Sequence, residues 1–336
     1  GGEARALTSG KFAEGAPQWS ADGRKLVFAS DRRDEPWFGG DESVLYAVAA
    51  DRTTPTTGDA LEVVADPKGG IVTWALGAKD EIALIATITP PKPNSYDKAT
   101  VMLAARPGEA PRDLAAKSPS SFGETVSSDQ HPPRGGGACP PATASGHAVL
   151  AQTSHEGSSY LARVDTGSGE MKLLTPANRD LVSGTATAEG RHWALVIGGV
   201  ETPGDLFHFD AVTGALTRVF APNEEFLAGV ALGDVEEMWV DAFDGKKLQG
   251  WIVKPPGFDP KEKYPLVLQI HGGPHTAYGT GFFHEFQHLA SAGYVVLYTN
   301  PRGSTSYGHE FANVIQYRYP GDDYLDLMSC VDALLA

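Results

Sequence analysis

The stretch that decides the fold is YPLVLQIHGGPHTAYG, running from Tyr264 to Gly279. An apolar run, Leu266 to Ile270, feeds straight into His271-Gly272-Gly273-Pro274-His275. Such a run reads as a strand buried on both faces, the pattern of a parallel sheet. Paired glycines after a strand let backbone approach something closely, because no Cβ intervenes. One reading is a tight strand-to-helix turn. The other is a doublet that turns amide N–H groups outward, as half of an oxyanion hole. On the doublet alone the two weigh equally.

Working outward, the flanks have an α/β rhythm. EEMWVDAFDGKKLQGWIVKP reads as two alternating strands around Asp244-Gly245, a strong hairpin signal. FFHEFQHLASAGY has helical spacing through Phe282, Phe286 and Leu289 and stops at Gly293. YVVLYTN is a second buried strand ending in Pro301-Arg302-Gly303. DDYLDLMSCVDALLA places Tyr324, Leu327, Met328, Val331 and Leu335 on one helical face, with Asp322 and Asp323 set to cap its start. Hairpin, strand, helix, strand, helix opens an α/β sheet with parallel crossovers. Chemistry in such sheets lies beyond the carboxyl ends of the strands. His271-Gly272-Gly273 and Asn300-Pro301-Arg302-Gly303 both fall there.

The first two thirds of the chain repeat instead. SADGRKLVFASDRR, ASGHAVLAQTSHEGSSYLARVDTGSGEMKLLT and AEGRHWALVIGGVETPGDLFHFDAVTGALTRVF share turn position and strand order. Gly146 and Gly190 are 44 positions apart, and Asp165 and Asp210 are 45 apart, as are Gly169 and Gly214. That spacing, with three or four strands per unit, is the signature of β-propeller blades. The 123 positions from Gly23 to Gly146 leave room for about three blades, giving five or so before residue 232. Pro90–Asn94 and Ser127–Pro141 read as loops by composition. The competing reading is a β-sandwich, or two small β-domains, with coincidental spacing.

Composition sets outer bounds. A net charge of −15 with no basic stripe argues against a nucleic-acid partner. No apolar run approaches the roughly 20 residues of a membrane helix. Cys139 and Cys330 match no metal or redox spacing and read as buried thiols. The N-terminus has no signal-peptide pattern, so the expected location is cytoplasmic, and GGEARALTSG reads as a repeat entered midway.

With the repeats, the hairpin, HGGPH and NPRGSTSYG together, the chain resembles the prolyl oligopeptidase family of serine peptidases, and most of all its acylaminoacyl-peptidase branch. FQHLASAGYVVLYTNPRGSTSYG carries that resemblance far more specifically than HGG does. The resemblance implies a β-propeller over residues 1–232 and the N-terminal part of an α/β-hydrolase domain, a mixed and mostly parallel sheet with flanking helices, over 233–336. It implies a serine peptidase of short peptides, with release of N-acylated amino acids as its narrower form. Access is then gated by the propeller, no cofactor is needed, and a homo-oligomer stays open. It assigns the Gly273 backbone N–H to the oxyanion hole and sets His271, His275 and Arg302 around the substrate. His271 stands where proline-specific relatives carry a tyrosine that donates to the oxyanion. For Arg302 a bracing salt bridge competes with the substrate role, and for His275 a plain surface position does.

The resemblance also implies a nucleophile on a G-x-S-x-G elbow, then an Asp and a His. No serine among the 336 residues has glycine at both −2 and +2; Ser304 and Ser306 come nearest, one strand too early. The triad is therefore expected beyond Ala336. Two rivals remain. His284-Glu285-Phe286-Gln287-His288 is a literal H-E-x-x-H, which on a helix could bind Zn²⁺, with Glu310 as a third ligand, in a metallopeptidase. The other is a non-catalytic propeller binding module.

Overall fold

A computed structural model describes residues 3–38, 40–56, 60–90, 92, 94–130, 139–144 and 146–336. Residues 91 and 93 of the first predicted loop and 131–138 of the second lie outside the described residues.

Four antiparallel four-stranded meanders follow one another along the chain. The first holds β1 (Gly15–Trp19), β2 (Lys25–Ser30), β3 (Val44–Ala49) and β4 (Glu62–Ala65). The second holds β5 (Ile71–Leu76), β6 (Ile82–Ala86), β7 (Thr100–Ala104) and β8 (Arg112–Asp113). In the third are β9 (Ala142–Ala144), β10 (Ala148–His155), β11 (Ser158–Asp165) and β12 (Met171–Leu173). In the fourth are β13 (Asp180–Ala186), β14 (His192–Gly199), β15 (Thr202–Asp210) and β16 (Ala215–Phe220).

The repeated motifs have a local cause. Gly23, Asp80, Gly146 and Gly190 occupy the first turn of their sheets, each with φ between 61° and 70°. Asp165 and Asp210 each accept two backbone N–H groups in the third turn, and Gly169 and Gly214 close it in the left-handed region. The described residues hold four meanders where the spacing predicts five or so. The interval from Gly23 to Gly146 accommodates two rather than three. Part of its surplus lies after β8, where Leu114, Phe122 and Val126 are buried.

Strand periodicity explains how the sheets stack. On β6, Ile82, Leu84 and Ala86 face the first sheet, packing with Val27, Leu45 and Val64. The alternate residues Ala83 and Ile85 face the third, against Val149, Ala151 and Val164. On β10 and β11, Leu150 and Leu161 turn the other way and meet Leu181, Trp193 and Phe209 of the fourth sheet. Each fully buried Leu or Ile here contributes about 1.5–3 kcal/mol. No buried cluster among the described residues joins the fourth sheet to the first, and His192, Ala194 and His208 on β14 and β15 are exposed.

A fifth sheet is mixed. It contains β17 (Asp234–Asp241), β18 (Lys247–Lys254), β19 (Leu266–Gln269) and β20 (Val295–Asn300), in the order β17-β18-β20-β19. β17 and β18 pair as the expected hairpin, with Gly245 at φ 81°. β19 and β20 are parallel, joined through α2 (His284–Ser291). On one face Trp251, Val253, Val296 and Tyr298 pack against Phe286 and Ala290 of α2. On the other, Leu248, Ile252 and Leu297 pack against Cys330 of α4 (Asp322–Leu335). α1 (Glu224–Leu227) and α3 (His309–Asn313) are short.

Two expectations are corrected in this sheet. β19 is half-buried, and Ile270 is exposed, because β19 is the sheet's edge strand among the described residues. The inward face of α4 is Asp326, Leu327, Cys330, Val331 and Leu334, whereas Tyr324 and Leu335 are exposed. An inward Asp326 sets that phase by pairing with Arg302. Asp322 and Asp323 lie within the first turn, and the helix has no side-chain cap. Both cysteines are free and buried; burial pushes the Cys139 thiol up to about 12 and Cys330 up to about 11. No helix of the described residues is long and apolar enough to cross a membrane.

Candidate active site

β19 delivers His271, Gly272 and Gly273 to the carboxyl edge of the mixed sheet, and β20 delivers Asn300 to Gly303 beside them. Gly273 has φ 133°, where L-residues are rarely found, and a Cβ there would lie 2.9 Å from the His275 nitrogen. Gly272 has neither restriction. Among the described residues no acceptor takes the Gly273 N–H, and both glycines are exposed.

His271 is tied to its neighbours. Its Nδ1 is 3.1 Å from the Gly272 carbonyl, and its Nε2 is 3.0 Å from Ser304 Oγ. A carbonyl only accepts, so Nδ1 carries the proton in this assignment. The Ser304 hydroxyl beside Nε2 donates to the Pro301 carbonyl at 2.7 Å. Burial holds the imidazole below the usual histidine range, so the ring is neutral at pH 7. The two nearest serines of the sequence reading are thereby accounted for. Ser304 is fully buried, and Ser306, with φ 78°, accepts the Gly157 N–H at 3.1 Å.

Arg302, placed among substrate residues above, is a structural brace. Its Nε and Nη2 donate to the two carboxylate oxygens of Asp326 at 2.8 and 2.7 Å. The remaining N–H groups donate to Asp244 at 3.1 Å twice and to Asp322 at 3.3 Å. All five donors are engaged, and 4% of the side chain is exposed, which leaves none for a substrate. These partners, Asp326 foremost, raise its pKa further. Asp244 is held at about 2 by its hydrogen bond from Lys246 and then by Arg302.

His275 points its Nδ1 at the Gly303 carbonyl, 3.0 Å away, and its ring lies 5.5 Å from that of Tyr96. Tyr96 in turn lines a cleft of about 300 Å³ with Glu124, Ser154, Trp239, Tyr307 and Phe311. Glu124 accepts from the Tyr96 hydroxyl and, at 2.9 Å, from Ser154 Oγ. This cleft draws on both the meanders and the mixed sheet, and Gly272 and Gly273 lie outside its lining. Asn300 braces the edge: its carboxamide exchanges two 2.8 Å hydrogen bonds with the Tyr278 backbone and donates to Tyr307 Oη at 2.6 Å. Tyr96 and Glu124 escape sequence reading because neither sits in a periodic or motif-bearing stretch. Asn300 was detectable as the residue ending a buried strand.

The H-E-x-x-H pair is not completed. His284 and His288 stack 6.2 Å apart on the exposed side of α2, while Glu310 lies on α3 in a separate cleft. Among the described residues no three His, Cys, Asp or Glu side chains are grouped so that they could hold a metal ion.

Residues 280–336 match the model of the prolyl oligopeptidase family. A 110-residue stretch is 46% identical to the peptidase YuxL of Bacillus subtilis (strain 168), covering 33% of this chain and 17% of that protein. A 114-residue stretch is 39% identical to dipeptidyl-peptidase 5 of Arthroderma otae, covering 33% of this chain and 16% of the relative. The fold superposes on Pyrococcus horikoshii acylaminoacyl peptidase with TM-score 0.70 and 20% identity, over 95% of this chain and 45% of that one. It superposes on a Mycobacterium tuberculosis puromycin-hydrolyzing peptidase with TM-score 0.65 and 20% identity, over 98% and 49%. The chain thus spans less than half the length of either enzyme. Residues 280–336 resemble the prolyl oligopeptidase family in sequence, and 95% of the chain shares the fold of the Pyrococcus horikoshii enzyme.

Proposed function

We propose that this chain belongs to a cytoplasmic serine peptidase of short peptides, whose narrower activity is release of N-acylated amino acids. Residues 1–232 are its propeller, which restricts entry, and 233–336 open its α/β-hydrolase domain. The nucleophile is supplied from outside these 336 residues, on an elbow that follows the next strand of the sheet. Attack on the substrate carbonyl gives a tetrahedral oxyanion, held in part by the Gly273 amide, and collapse leaves an acyl-enzyme that water hydrolyses.

The observation that carries this reading is the Gly273 N–H, which has no acceptor among the described residues and sits at the carboxyl edge of β19. Support for peptidase chemistry comes from the family match over 280–336. The test is fluorophosphonate labelling of the full-length protein, with hydrolysis of acetyl-alanyl and free alanyl-alanyl p-nitroanilides. One labelled serine within G-x-S-x-G, and turnover of the acetylated substrate, is the expected result. Turnover of the free dipeptide alone would move the activity to a dipeptidyl type. An unlabelled protein, or turnover abolished by chelators, would sink the serine reading.

A further inference from the structure

Between Gly273 and α2 the chain has neither strand nor helix, so the backbone groups of 276–283 must find partners elsewhere. On one side they find them within the mixed sheet: Thr305 N donates to the Thr276 carbonyl at 3.0 Å, and Asn300 holds Tyr278. On the other side the partners come from the segment after β8 and from the β10–β11 turn, more than a hundred positions away in sequence. Ser127 N donates to the Ala277 carbonyl at 2.7 Å, and its hydroxyl lies 3.0 Å from Thr276 Oγ1. Ser128 Oγ donates to the Phe282 carbonyl at 2.5 Å. Thr280 N donates to the Gly157 carbonyl at 2.8 Å.

The first turn of α2 is served the same way. The Phe283 side chain at its N-cap offers no acceptor, and Asp129 takes the N–H groups of His284 and Glu285 at 2.9 and 2.8 Å. The seam is close enough to demand glycine on both sides. A Cβ at Gly279 would fall 2.0 Å from the Gly157 carbonyl oxygen, one at Gly281 2.7 Å from that of Ser127, and one at Gly157 2.4 Å from the Trp251 ring.

We propose that Ser127, Asp129 and Gly157 are positioning residues for the Gly273 amide, because they clamp the strap that runs from it to α2. This rests on the peptidase reading above. The meanders then fix the geometry of the catalytic edge as well as covering it. A gate alone would alter which substrates enter; a clamp alters stabilisation of the transition state. An oxyanion donor displaced by about 1 Å costs up to about 100-fold in rate.

The experiment uses the full-length protein and the variants Asp129→Ala, Asp129→Asn, Ser127→Ala and Gly157→Ala. It measures kcat and KM on acetyl-alanyl p-nitroanilide, affinity for a peptide boronate that forms a tetrahedral adduct, and hydrogen exchange across 276–285. Asp129→Ala is expected to lower kcat by roughly 10-fold to 100-fold, with boronate affinity falling in step and KM within about threefold. Asp129→Asn, which keeps one acceptor oxygen, recovers part of the loss. Exchange in 276–285 rises in both, and Ser127→Ala gives a smaller change in the same direction should the others fold poorly. Faster exchange with unchanged kcat and boronate affinity would overturn the proposal, and so would a change confined to KM. A wild-type protein inert to substrate and fluorophosphonate would instead overturn the peptidase reading, and with it any role for Gly273.

Discussion

Arg302 and Asp326 face each other through two charge-assisted hydrogen bonds, 2.8 and 2.7 Å, with 4% and 0% of their side chains exposed. The pair joins the loop after β20 to α4 and determines which side of that helix turns inward. Removing one member strands the other's charge away from water, at a cost of about 3–5 kcal/mol. Arg302→Met is therefore expected to destabilise the fold by that amount in urea titration. The double variant Arg302→Met/Asp326→Leu should recover most of it, because it leaves no buried charge. A single variant with an unchanged midpoint would show that solvent reaches the pair.

Asp244 gives the cluster an acid limit. Its folded value of about 2 lies below the ordinary 3.8. A lowered carboxylate value adds stability above about pH 3.8 that is lost as pH falls toward about 2. Asp244→Asn should thus melt below wild type at neutral pH, and the two should converge between about pH 4 and about pH 2. A gap in melting temperature that stays constant over that range would contradict the assignment.

The sequence announced what local chemistry controls. Asp244-Gly245 forecast the β17–β18 hairpin, and the spacing of Gly146 and Gly190 forecast the turns of the third and fourth sheets. The second sheet was harder to see because Asp80, not glycine, takes the left-handed turn there, which breaks the visible repeat. Apolar periodicity misplaced the inward face of α4, since an ion pair outweighed Tyr324 and Leu335 in setting its phase. Long-range contacts were invisible altogether. Nothing near Asp129 hints that it serves a helix 155 positions later, and nothing near Tyr96 hints at its ring contact with His275. Arg302 was correctly placed at the sheet edge, but its partners, which decide what it does, lie on other elements.

His271 supplies a titration test that needs no substrate. Burial lowers its value from the ordinary 6.5, so its protonation opposes the fold. The corresponding stability is complete above about pH 6.5 and erodes as pH falls through the folded value. An imidazole nitrogen-detected NMR titration should place the His271 midpoint below 6.5. Ser304→Ala, which removes the hydroxyl beside Nε2, should change that midpoint measurably. A midpoint at or above the ordinary value would mean the ring is solvated rather than packed against the Gly272 and Ser304 loops.

The glycine doublet separates a backbone requirement from a mere preference for small residues. Gly272 has ordinary φ and open space where a Cβ would sit, so Gly272→Ala is expected to change stability by less than about 1 kcal/mol. Gly273 has φ 133° and a Cβ position 2.9 Å from the His275 nitrogen. Gly273→Ala must therefore hold strain of about 1–3 kcal/mol or swing the peptide into a different conformation. Swinging it would redirect that amide, which has no acceptor among the described residues, and in the full-length protein kcat should fall by about 10²–10³-fold with little change in KM. Parallel thermal melts and kinetics on the two variants check both halves. Equal effects at the two positions would mean that the doublet is only a tight turn, the alternative that HGG leaves open from sequence alone.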